Sequence, residues 1–335
     1  VKKIIMHNPE REEYLPRDFV ETADGLFFAL IDEGVGSEAY VTGWLRYHCM
    51  GGHMIKLETR DAMQWMQQHH PDLVVKTERH DAYIHAIPLT MIRRHYKPVY
   101  RLREIMENIG SEHYTHDVFL DIAGLMAVFV AYGIPMDSIG ITGSTLVNAQ
   151  HSQSDIDLVV YDETIFSALR RCLLTDSQSQ EYAGIRALND TELETSWIRR
   201  GRPGSLEDYQ WHEKRKGTQG IINGRKFDIA LVAPGYMRAM GAVSGRKQGL
   251  QTLRCRVIDA GRGFHQPSVY EVDHHEIHAI HCYTQTYVGQ AWDGEWVEAC
   301  GLLEATAFGM RLIVGCSREA EGEYIRVIRT GNIQH

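Results

Sequence analysis

The chain has 335 residues, 44% of them hydrophobic, and a formal net charge of −9. That length suits two or three domains, each with its own core. The negative balance argues against a general polyanion-binding protein, though it leaves room for a local basic groove. Six cysteines occur singly, without a Cys-x-x-Cys pair, and read as buried free thiols of a reducing, cytoplasmic compartment. Residues 1–16 lack the apolar core of a secretion signal. The longest apolar run, Ile122 to Ile134, is too short to span a bilayer and reads as a buried helix, so no membrane partner is expected.

Residues 1–97 read as an N-terminal α+β domain. Leu26 to Ile31 and Tyr40 to Tyr47 are candidate strands, with Gly34 and Gly36 between them. Asp61 is placed as the N-cap of a helix through His70. Val74-Val75 and Ala82 to Ile87 follow as strands, and Pro88 suits the first turn of a short helix. The mixed charges of Arg17 to Thr22 read as a solvated face or an interdomain contact.

Residues 98–250 carry the chemistry. A helix over Pro98 to Ile109 precedes a second, from about His113 to Tyr132, whose apolar positions Phe119, Ile122, Ala123, Met126 and Val130 recur at helical spacing. Then comes GITGSTLVNAQHSQSDIDLVVY, Gly140 to Tyr161. It reads as strand, glycine turn, short helix, loop and strand. Side chains alternate along a strand, so Asp155 and Asp157 share one face, about 7 Å apart. Such carboxylates repel each other, and a hard divalent cation such as Mg²⁺ relieves the repulsion. The Gly143-Ser144 turn can aim backbone N–H groups at a phosphate. Thr164 to Leu174 reads as a helix, Thr175 to Gln180 as a polar turn, and residues 190–199 and 206–216 as two further helices, the second capped by Ser205. Asn223-Gly224 is a strong hairpin-turn signal between Thr218–Ile222 and Arg225–Val232. From Trp197 to Lys226 there are eight basic side chains against three acidic, with Trp197, Tyr209, Trp211 and His212 among them. Such a stretch suits a triphosphate or an acceptor strand, with Lys214, Arg215 and Lys216 foremost; a solvated helix face is the competing reading.

Gly241 to Gly249 reads as a linker, and residues 251–335 as a β-rich domain. Short strands punctuated by glycines run from Leu253 to Ile328 and suggest a small closed barrel. Tyr287 to Val297 resembles a turn and strand of an OB-fold. His274, His275, His278 and His281, with Cys282, are zinc-type ligands, but a strand would send His278 and His281 to opposite faces.

Gly143-Ser144, ten residues, then Asp155-Ile156-Asp157 resembles the signature of the nucleotidyltransferase superfamily that includes DNA polymerase beta. The resemblance covers roughly Asp117 to Val232. It implies a short mixed sheet and transfer of a nucleoside monophosphate from a nucleoside triphosphate with two metal ions, Mg²⁺ or Mn²⁺. A third carboxylate on a neighbouring strand is required, and Asp228 is the candidate. The resemblance further implies that Asp155, Asp157 and Asp228 hold the metals and that Gly143 and Ser144 meet the β and γ phosphates. Arg17 to Thr22 and Ser317 to Arg326 make the whole chain resemble archaeal and bacterial proteins described as predicted nucleotidyltransferases. Three readings follow: transfer to an RNA 3′ end of tRNA type, transfer to a small molecule or protein side chain, and a non-catalytic nucleotide-binding regulator. The expected fold class is α+β: a nucleotidyltransferase core flanked by an N-terminal α+β domain and a C-terminal OB-like barrel.

Overall fold

The computed structural model describes residues 13–35, 39–77, 82–179, 184–201, 203–240, 245–315 and 322–329. The N-terminal sheet runs in the order Val74–Thr77, Ala82–Pro88, Tyr40–Met50, Leu26–Leu30, Phe19–Thr22, Ile92–Tyr96, with His53–Lys56 folded back on Tyr40–Met50. The period of two decides what each face touches. Val20, Leu26, Phe28 and Leu45 bury against Ala62 and Met66 of the helix Thr59–His69. Phe19, Phe27 and Tyr47 turn the other way, onto Leu146 and Val147 just after the glycine turn. This second face brings the sheet up to the Asp-Ile-Asp strand. The first helix begins at Thr59 with Glu58 at the cap position and no side-chain cap, so Asp61 lies inside its first turn and is not the cap.

The central sheet has the order Ile139–Thr142, Ile156–Val160, Arg225–Leu231, Gln219–Ile222, Ile185–Arg186. Ile156–Val160 is antiparallel to Ile139–Thr142 and parallel to Arg225–Leu231. Its core packs against the helices Pro98–Asn108, Asp117–Ala131 and Glu163–Ser179. The helix Asp117–Ala131 buries Val118, Phe119, Ile122, Leu125, Met126 and Phe129, while Val130 is half exposed. Glu163–Ser179 continues through most of the expected polar turn. Gly140 allows close approach, because a Cβ there would lie 2.5 Å from Pro98 Cβ. At the hairpin, Asn223 (φ 49°) and Gly224 (φ 84°) both take positive φ, as the turn requires.

The C-terminal region corrects the sequence reading. Glycine spacing predicts short strands closing into a small OB-like barrel; the structure has a six-stranded mixed sheet. Its order is Gly245–Arg262, Ser268–Asp273, Ile277–Cys282, Gly309–Val314, Trp296–Thr306, Tyr324–Val327. The first strand is 18 residues long and Trp296–Thr306 is 11, so glycines mark the turns without setting strand length. The long strand pairs with both Ser268–Asp273 and Trp296–Thr306, with register shifts that let it bend. Tyr324–Val327 adds an edge that a simple five-stranded barrel lacks. The fold class is α+β with several mixed sheets; in the C-terminal one the expected short strands give way to long ones, and the pairing of Gly245–Arg262 with both Ser268–Asp273 and Trp296–Thr306 joins five strands in a ring, with Tyr324–Val327 outside it. Gly245 already opens a strand, so that part of the expected linker is regular structure; residues 241–244 lie outside the described residues, as do Arg202, Cys316 and residues 317–320. Among the described residues, no helix is long and apolar enough to cross a membrane.

Candidate functional site

Strand register builds the site. Thr142 pairs with Asp157, Asp157 with Asp228, and Asp228 with Gln219, so four polar residues form one row across four strands. The parallel pairing of Ile156–Val160 with Arg225–Leu231 sets the Asp157 and Asp228 positions side by side. The Asp157 carboxyl is pushed up to about 6, first by burial, then by the charge of Asp228; Lys226 and Arg17 pull the other way. Lys226 Nζ donates to Asp228.

Gly143 is required on two counts. Its φ is +66°, and a Cβ there would sit 2.1 Å from Asp157 Oδ2. Behind the loop that leads into Asp155, Asp121 is buried on the helix Asp117–Ala131. It accepts from Arg225 Nε at 2.6 Å and Asn223 Nδ2 at 3.0 Å, while Arg225 Nη1 donates to the carbonyls of Ser152 and Ser154, both at 2.8 Å. A helix that the sequence marks only as scaffold thus ties the hairpin to the acid loop.

Asp155 sits differently. Its carboxylate faces Arg199 of the helix Asp190–Arg199, with Arg199 Nη1 at 3.4 Å from Oδ2. Among the described residues there is no group of three or more His, Cys, Asp or Glu side chains placed to hold a metal ion. Of the expected metal-binding triad, Asp157 and Asp228 are paired, and Asp155 faces Arg199. The pair still offers hard oxygen donors of the kind a divalent cation prefers.

The basic helix separates three residues that are adjacent in sequence. Successive residues of an α-helix turn by about 100°, so Lys214, Arg215 and Lys216 face three directions. Lys214 Nζ makes an exposed ion pair with Asp190 at 2.6 Å. Arg215 donates two 2.7 Å bonds to Glu295 and lies over the rings of Trp211 and Trp292, at 4.3 and 3.6 Å from their centroids. Lys216 is buried, bonded to Glu213 at 2.6 Å and the Thr286 carbonyl at 2.8 Å, and it lines the site cavity. Ser144 lies beside Gly143 in the short helix Gly143–Leu146, and its carbonyl accepts from Ala149 N at 2.8 Å.

Arg17 was hidden from sequence reasoning. It is a non-glycine residue at φ 77°, a conformation that costs on the order of 1–3 kcal/mol and points to function when the surroundings enforce it. They do so here: its N–H donates to the Leu30 carbonyl at 3.0 Å, and its carbonyl accepts from Thr142 Oγ1 at 2.7 Å. The guanidinium donates to Gln285 of the C-terminal region and lies in the field of Asp157 and Asp228. Burial lowers its pKa; the two aspartates oppose this, and Arg200 and Arg46 reinforce it. Its neighbour Asp18 is buried against His95 Nε2 at 2.8 Å within the N-terminal region, while Arg17 reaches Thr142 and Gln285, so this segment is a contact between regions and not a solvated face. For Arg200, burial works to lower the pKa, but Glu213, Tyr209 and Asp228 outweigh it and the pKa is raised.

Two cavities meet at Arg17, Thr142, Asp157, Gln266 and Gln285. One, of about 130 Å³, contains Asp228, Arg200, Lys216 and Gln219 in its wall. The other, of about 330 Å³, lies on the Gly143 side under the N-terminal sheet. The histidine run is elsewhere: His278 is exposed and His281 buried on the strand Ile277–Cys282.

No protein-family profile matches the chain, and no solved structure matches it. It is similar to the uncharacterized protein MJ1086 of Methanocaldococcus jannaschii, with 27% identity over 342 residues, covering 93% of this chain and 98% of that protein.

Proposed function

We propose that this chain is a nucleotidyltransferase that moves a nucleoside monophosphate from a nucleoside triphosphate to an acceptor hydroxyl. The observation that carries the reading is the Asp157–Asp228 pairing across parallel strands, with the obligatory glycine turn at Gly143 beside it. The acceptor oxygen attacks the α-phosphorus, the bond to the β-phosphate oxygen breaks, pyrophosphate leaves, and the hydroxyl proton passes to solvent through the carboxylate pair. Arg17, Arg200 and Lys216 line the same cavity as the aspartates and would hold anionic oxygens in place. A Mg²⁺ ion held by Asp157 and Asp228 would neutralise phosphate charge and lower the pKa of the attacking hydroxyl.

Two acceptors compete, an RNA 3′ end and a small molecule. The small molecule is favoured, because Lys214 and Arg215 are engaged within the chain away from the aspartates and the Asp228-side cavity is about 130 Å³. A cytoplasmic location belongs to the proposal and is supported by free thiols at Cys49, Cys172, Cys255, Cys282 and Cys300.

The test is incubation with each α-labelled nucleoside triphosphate, Mg²⁺ and separate RNA, protein and small-molecule fractions of a cell extract. Label should enter the small-molecule fraction and disappear with Asp228→Asn. Label in RNA would decide for the RNA end. No transfer to any fraction by protein that binds the triphosphate would overturn the catalytic reading and leave a nucleotide-binding regulator.

A further inference from the structure

The row Thr142, Asp157, Asp228, Gln219 gives the site two sides. In an in-line displacement the acceptor and the leaving pyrophosphate stand on opposite sides of the reacting phosphorus. Gly143 lies on the side of the larger cavity and Gln219 on that of the smaller one. The two walls differ in kind. The larger cavity is lined by Phe19, Trp44 and Tyr283 with Leu30, Ile31 and Ile84, and by two cations, Arg17 and Arg46. Its volume of about 330 Å³ falls within the range of small-ligand sites.

The arginines are the telling feature. Arg46 and Arg17 are like charges close enough to disfavour each other. Arg46 Nη1 is buried and has no hydrogen-bond partner among the described residues. An unpartnered buried guanidinium N–H is costly, and a phosphate oxygen is the acceptor that suits it best. A ligand that pairs an anionic tail with a flat, largely apolar body matches both walls.

We propose that the larger cavity is a nucleoside pocket built by the N-terminal sheet. The base lies against Trp44 and Phe19, and the phosphates cross Arg46 and Arg17 toward Gly143. This placement rests on the nucleotidyl-transfer reading and adds to it: the N-terminal domain selects and orients the nucleotide, and the acceptor enters from the Asp228 side.

Titration calorimetry on the full chain tests it, with ATP, GTP, CTP, UTP and inorganic tripolyphosphate as probes. Trp44→Leu should weaken the bound nucleoside triphosphates by 10-fold or more while changing tripolyphosphate binding by less than about 2-fold. Arg46→Gln should weaken both by about 10-fold. Trp44 is a core residue, so wild-type protein is also cross-linked with 8-azido-ATP, and label should map to peptides within residues 13–50. Wild-type affinity in both variants, or cross-links confined to the Asp228-side cavity, would overturn the pocket and leave nucleotidyl transfer standing. Failure of the wild type to bind any nucleoside triphosphate would remove both.

Discussion

Replacing Asp157 with asparagine should stabilise the protein at neutral pH while removing its chemistry. The carboxyl is held at about 6 against an ordinary 3.8, chiefly by burial and then by Asp228. Its folded-state pKa is thus above its unfolded value. The contribution to stability is complete below about 3.8 and lost as pH rises through about 6, so above that pH the charged carboxylate is a net cost. At about 1.4 kcal/mol per tenfold change in proton affinity, the ceiling is about 3 kcal/mol. Asparagine keeps the shape and removes the charge, but Arg17 and Lys226 lose an attractive neighbour. A realistic gain is about half the ceiling, roughly 1–2 kcal/mol, or a melting temperature higher by roughly 2–6 °C. Thermal melts of both proteins from pH 4 to pH 8, in chelator-treated buffer, read this directly. The gap should be widest at pH 7–8 and close toward pH 4. A destabilised variant at pH 8, or a gap independent of pH, would refute the electrostatic account of the pair.

Three further outcomes are expected. Gly143→Ala should abolish turnover and lower stability by roughly 1–3 kcal/mol in urea titrations, because its Cβ meets Asp157 Oδ2 at 2.1 Å and its φ is +66°. Arg215→Ala should lower stability by about 2–3 kcal/mol through loss of the Glu295 bonds and the stacking on Trp211 and Trp292, yet leave nucleotide affinity within about 2-fold; a large loss of affinity with unchanged stability would return this side chain to the binding site. His212 is held neutral by burial, its pKa lowered from 6.5 to about 4, and its Nε2 accepts from Val327 N at 3.1 Å. Its folded pKa is depressed, so its contribution is present above pH 6.5 and lost as pH falls toward 4. His212→Gln should flatten the acid-side fall of the urea midpoint, in part only, because His85 and His281 are depressed in the same direction.

Local rules made several elements legible. Asn223-Gly224 announced its hairpin because both positions need positive φ, and both have it. The helices Asp190–Arg199 and Leu206–Lys216 start and stop where their caps indicate; Ser205 Oγ accepts from Asp208 N at 3.1 Å. Asp157 and Asp228 were legible as strand residues, and their register beside each other came only with the fold. What failed was inference from nearness in sequence. Lys214, Arg215 and Lys216 are consecutive and therefore cannot share a helix face. Val130 follows the apolar spacing, yet Phe129 and Leu125 take the buried seam. The long strand Gly245–Arg262 hides in the sequence because much of its length is exposed on alternate positions and glycines interrupt it.

Arg17 shows why the rest of the site could not be read along the chain. It is 140 residues from Asp157, and its sequence neighbours carry no catalytic pattern. Its place depends on a left-handed backbone clamped by Leu30 and Thr142, and on Gln285 from the C-terminal region. Each clamp belongs to a different part of the chain, so the cation reaches the aspartates only when all three parts are docked. The charges argue the same way. Asp157 and Asp228 repel each other, and Arg17 and Arg46 repel each other. Neither arrangement is favourable alone, and they moderate one another only where the N-terminal sheet meets the central one. Docking of the N-terminal sheet and assembly of the charged centre are therefore one event: weakening the Phe19, Phe27 and Tyr47 contact with Leu146 and Val147 would unmake the site without touching a charged residue.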